Sequence, residues 1–133
     1  MPSSDERTLI DIQGEIHRDT ELFFPDVDID LGYLTVALCG EAGEFANILK
    51  KIMRGSKDVN DKVVRVEMAF ELVDVLIYTA MLANLLDIDL AEAYKHKREQ
   101  NVERFGKPDP DTEDGGSGTS VVESVPSPDG NGG

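Results

Sequence analysis

An all-α fold of four helices packed as a bundle-type subunit is predicted for this 133-residue chain by three observations. Apolar residues recur at spacings of three and four along four separate stretches. Each stretch opens on a residue able to cap a helix N-terminus, and a loop or glycine follows it. No stretch alternates apolar and polar residues convincingly enough to make a strand. The length suits one domain with its own hydrophobic core.

The first helix is expected from a capping box at Ser3, with Glu6 three residues on, through Leu9, Ile12 and Ile16 to about Glu21. Phe24-Pro25-Asp26 ends it. A second helix runs from Asp30, its N-cap, to Arg54. Lys50, Lys51 and Arg54 complement the dipole in its last turns, and Gly55 stands at the position that favours a left-handed backbone. The third, Asp61 to Leu86, is apolar on more than one face: Phe70, Val73 and Ile77 lie opposite Leu82 and Leu85, as in a central or interface helix. That pattern predicts an oligomer. Asp89, with Glu92 three residues later, opens a fourth helix that Gly106 and Pro108 close. The domain is therefore read as residues 1–106. Residues 107–133, of which 14 are Gly, Pro or Ser, are read as a disordered acidic tail.

Charge and composition narrow the function. A net charge of -14 opposes binding to nucleic acid polymers through their phosphates, while a divalent cation would still let a carboxylate cluster receive a free nucleotide. No signal-like or membrane-spanning segment is recognised, so a cytoplasmic protein with no membrane partner is expected. The one cysteine, Cys39, lies in an apolar stretch and reads as an inert core thiol. His17 and His96 read as surface residues.

Carboxylates stand where a bundle needs leucines. In helix 2 the stripe Leu31, Leu34, Leu38, Glu41, Phe45, Ile48, Ile52 is interrupted by Glu41, and Glu44 follows one turn on. In helix 3 the stripe Val64, Glu67, Glu71, Asp74, Tyr78, Met81 is interrupted repeatedly. If these helices form a hairpin turning between Gly55 and Asn60, the pairs Glu41/Glu44 and Glu71/Asp74 are equidistant from the turn and face each other about 20 Å from it. Facing acids in a partly dry site repel, and a cation removes the conflict. Oxygen ligands without a placed His or Cys suit Mg²⁺, or Mn²⁺, and magnesium commonly shares its shell with substrate phosphates. Glu67 has no partner at matching spacing and reads as a supporting or solvated acid. Helix 4 carries Lys97, Asn101 and Arg104 on one face, able to hold phosphate oxygens, or else to complement the helix dipole.

The segments Gly40-Glu41-Ala42-Gly43-Glu44, Glu71-Leu72-Val73-Asp74 and Lys97 to Phe105 resemble the MazG-like family of all-α nucleoside triphosphate pyrophosphohydrolases over about residues 8 to 106. The resemblance implies magnesium held by Glu41, Glu44, Glu71 and Asp74, and phosphates met by Lys97 and Arg104. It also implies a homodimer or homotetramer that completes the bundle. The reaction expected is (d)NTP plus water to (d)NMP plus pyrophosphate. Water oriented by Glu41 as base attacks the α-phosphorus, with magnesium and Lys97 stabilising the departing pyrophosphate. Gly40 stands where members commonly carry a further Glu, and an aromatic residue frequent near His17 is missing. Gln13, on the face of Leu9 and Ile16, is the candidate base contact. Two other readings fit the same residues: a non-catalytic helical interaction module, and a hydrolase of another nucleotide such as an alarmone.

Overall fold

In the computed structural model, which describes residues 7–106, the chain is all-helical, and the described residues include no strand. The expected disordered tail and the Ser3 capping box lie outside the described residues. Helix α1 spans Leu9–Phe23, α2 Leu31–Met53, α3 Lys62–Leu85 and α4 Leu90–Phe105.

The ends of the last three helices follow the local chemistry closely. Asp30 accepts from the Tyr33 amide, Asp61 from Val63, and Asp89 from Ala91 and Glu92, each relieving an amide that has no partner inside its helix. Glu92 does not reach back to complete a capping box; its carboxylate lies beside Lys95 and His96 instead. At the end of α2, Gly55 takes a φ of 76° and donates to Ile52, while Ser56 donates to Lys51, closing the helix with two bonds that a left-handed residue makes possible. The same closure ends α3 with Asp87 at φ 55°, where Asp87 donates to Asn84 and Ile88 to Ala83.

Helix α1 departs from expectation. It begins at Leu9, because Thr8 and Asp11 cap it reciprocally: the Thr8 hydroxyl accepts from the Asp11 amide, and the Asp11 carboxylate accepts from the Thr8 amide at 2.9 Å. Hydrogen bonds from the Thr8 side chain and backbone hold the Asp11 carboxyl below its ordinary pKa.

Packing is dominated by the α2–α3 hairpin; α1 lies on α3, and α4 packs chiefly on α1. Among the described residues the buried apolar side chains are few: Leu34 and Ile48 from α2, and Val64, Ala80, Met81 and Ala83 from α3. Neither α1 nor α4 contributes a buried residue. Gln13 ties the last joint together. Its amide donates to Asn84 Oδ1 and to the Ile88 carbonyl, and its oxygen accepts from the Leu90 amide, so α1 holds the corner between α3 and α4. The axes of α3 and α4 meet there at a bend of 104°. Cys39 is exposed, contrary to the core thiol expected, because α2 turns that side away from α3. No single helix among the described residues is long and apolar enough to cross a membrane.

Candidate metal centre

The register of the hairpin decides what the acids on α2 and α3 meet. Glu41 and Glu71 occupy stripe positions that face the neighbouring helix, and Asp74 follows Glu71 by three residues on the same face. One carboxylate oxygen from each of Glu41, Glu71 and Asp74 lies within 4.8 Å of the other two, and all three residues are half-buried. Glu44, the fourth acid of the expected set, is exposed and stands outside this trio. Its charge still reaches the site, since it contributes to the field at Glu71.

That field is unfavourable to ionisation. Partial burial first, then the charges of Glu41, Asp74 and Glu44 and a hydrogen bond with Glu41, raise the Glu71 carboxyl above the ordinary glutamate range. Tyr78, one turn beyond Asp74, feels the same cluster: burial, then Tyr33, Glu41 and Asp74, push its hydroxyl upward. The sequence presents Tyr78 only as a member of the stripe that the acids interrupt. Its spacing of four from Asp74 was the signal that it borders the acids.

The donor set fits a hard divalent cation. Three carboxylates converge without nitrogen or sulfur donors, and the mutual repulsion that raises Glu71 is what a bound cation would relieve. Gly40 and Gly43 leave the adjoining face of α2 bare, with nothing within 4 Å of where a Cβ would stand. Two helical turns away on the same stripes, Leu34 and Met81 form part of the wall of a cleft of about 520 Å³ that His17, Thr20, Phe24 and Asn84 also line. Seven residues of helix separate each wall residue from Glu41 or Asp74, about 10 Å.

The remaining sequence-selected residues lie elsewhere in the protomer. Lys97, Asn101 and Arg104 are exposed on α4, which packs on α1 and not principally on the hairpin. Lys97 is therefore not covered by the stripe it extends, and the Arg104 guanidinium lies 5.0 Å from the centre of the Phe105 ring. Gln13 has its amide committed to Asn84, Ile88 and Leu90, a structural task that nothing in its local sequence signals. Glu67 is paired with Lys57 from the α2–α3 turn. His17 is exposed beside Glu21.

No family model matches the sequence. The chain is similar to the Gene 37 protein of Mycobacterium phage L5, with 41% identity over 86 residues that cover 62% of this chain and 75% of that protein. By that extent of identity, the chain belongs to the same family as the phage L5 Gene 37 protein.

Proposed function

We propose that the protein is a MazG-like, Mg²⁺-dependent nucleoside triphosphate pyrophosphohydrolase, releasing monophosphate and pyrophosphate. The observation that carries this reading is the meeting of Glu41, Glu71 and Asp74 across the hairpin, with Glu44 beside them. Helix-borne acids this close destabilise a fold unless a cation sits among them. Magnesium held there would supply Lewis-acid polarisation of a phosphoryl oxygen. The cleft beginning about 10 Å from the acids has the size and partly apolar wall that a nucleoside requires.

The protein's own groups then have distinct tasks. Glu41 accepts a proton from the attacking water as its oxygen bonds to the α-phosphorus. The bond from the α-phosphorus to the bridging oxygen breaks, and that oxygen leaves with pyrophosphate. Lys97 and Arg104 neutralise the phosphates from the α4 of a second copy, since α4 is turned away from its own protomer's acids. Self-association is supported independently by α3. Its stripe Val63, Val66, Phe70, Val73, Ile77 has the alternating three-four spacing of a helix–helix seam, and Val63 and Phe70 are each 66% exposed.

Hydrolysis in ¹⁸O-water with magnesium tests the reaction. Label appears in the monophosphate if the α-phosphorus is attacked; label in pyrophosphate or release of orthophosphate defeats the reading. Glu41→Gln lowers the rate by about 10² to 10⁴-fold with the helical content retained. The distance of α4 from the acids favours one alternative, a non-catalytic interaction module. Calorimetry with Mg²⁺ and a non-hydrolysable triphosphate separates the two, because the module gives no heat.

A further inference from the structure

The tip of the α2–α3 hairpin is a basic surface on an acidic protein. Six of the 13 lysines and arginines fall within residues 50–65, Lys50, Lys51, Arg54, Lys57, Lys62 and Arg65, against two acids, Asp58 and Asp61. Among the described residues only Lys57 of these makes an ion pair, with Glu67. The three at the end of α2 suit that helix's dipole. Lys62 and Arg65 do not. They occupy the start of α3, where the capping Asp61 is the one acid and the first turn itself has none, so the partial positive charge of the helix end is unfavourable to them. Helix chemistry alone does not account for cations at both sides of the turn.

We infer that this tip receives the acidic run Asp109, Asp111, Glu113 and Asp114 from the C-terminal segment of a second copy of the chain. Charge selects the segment: after Gly106 the sequence carries six acids against Lys107, a net of -5. Reach selects the second copy. With 24 residues in α3, 16 in α4 and a 104° bend between them, Phe105 lies roughly 35 Å or more from Lys62 and Arg65 of its own hairpin. Even a fully extended backbone could carry Asp109 to Asp114 no more than about 14 to 32 Å from Phe105. It falls short of its own tip. The inference rests on the self-association proposed for α3, because four charges bind usefully only when that contact has already raised their local concentration.

Equal amounts of ¹⁴N- and ¹⁵N-labelled full-length protein are mixed and treated with a carbodiimide, which joins carboxylates directly to lysine amines. Mass spectrometry then identifies the linked peptides, and sedimentation velocity reports the assembly under the same conditions. The expected result is mixed-isotope links from Asp109, Asp111, Glu113 or Asp114 to Lys50, Lys51 or Lys62. They fall about tenfold at ~0.5 M NaCl, where the Debye length is ~4 Å, while the assembly persists. The exposed double variant Lys51→Glu, Lys62→Glu loses them likewise. Same-isotope links alone, or links spread equally to Lys95 and Lys97 in an intact assembly, overturn the inference. A protein sedimenting as monomer at all salt concentrations overturns the self-association beneath it.

Discussion

Glu71 shows how one side chain records a missing counter-charge. Its carboxyl holds a proton more tightly in the folded chain than in the unfolded one, because burial and three neighbouring acids oppose its ionisation. The stability linked to it is therefore fully present below the ordinary glutamate pKa and is lost as pH rises through the raised, folded value. In EDTA the melting temperature should decline as pH climbs out of the carboxylate range towards neutrality, and millimolar Mg²⁺ should abolish most of that decline. Glu71→Gln should raise the melting temperature in EDTA at neutral pH, remove the response to Mg²⁺ and eliminate turnover. A variant that instead melts lower in EDTA would mean that the acids are not in conflict. At this scale much was legible in the text. Glu41, Glu71 and Asp74 interrupt apolar stripes, and distance from the turn pairs them. The exposure of Glu44 was not legible, since a spacing of three keeps it near Glu41 without saying which of the two points at α3. Gln13 was also opaque: its partners at Asn84, Ile88 and Leu90 are more than 70 residues away.

At the scale of the helix, cap chemistry located most boundaries because it acts over three residues and needs no tertiary information. Asp30, Asp61 and Asp89 each cap the helix that the sequence assigned to them. The start of α1 was misplaced for a local reason too. Ser3 with Glu6 and Thr8 with Asp11 are competing signals five residues apart, and the reciprocal bonds of Thr8 and Asp11 set the described start. The C-terminus of α3 offers a direct test of backbone strain. Asp87 adopts a left-handed conformation that glycine takes at no steric cost. Asp87→Gly should increase unfolding free energy by about 0.5–1 kcal/mol, measured by urea denaturation with an unchanged m-value. What the sequence did not convey is the 104° corner after α3. It depends on Gln13 reaching across from α1, so the placement of α4, and with it Lys97, Asn101 and Arg104, followed from a contact between distant parts of the chain.

Across the whole molecule, the balance of covered and uncovered apolar surface is the dominant fact. Among the described residues six apolar side chains are buried, whereas Val63, Val66, Phe70 and Val73 form a continuous uncovered stripe on α3. The seam reading makes a sharp demand. Phe70→Glu should convert the assembly to monomer in sedimentation velocity while far-ultraviolet circular dichroism retains the helices. Activity should fall with the assembly if α4 of one copy serves the acids of another. Full activity in a monomeric variant would separate the carboxylate site from the seam. The apolar all-round character of α3 was readable from composition, because no single neighbour can cover a helix on every side. The identity of what covers the open side is a property of surfaces, and sequence spacing alone does not supply it.

The antiparallel arms of the hairpin act as a vernier. Adding one residue to α3 between Val64 and Glu71 would rotate everything beyond it by about 100°, swinging Glu71 and Asp74 out of phase with Glu41 while leaving every cap intact. Adding seven would restore the phase but slide the acids about 10 Å along α2, past their counterpart. Lengthening the hairpin without moving the acids out of phase would take matched increments close to whole turns, such as about seven residues, on both arms. The interval between the turn and the acids should therefore be the most length-constrained stretch of the molecule, even where its individual side chains are free to change.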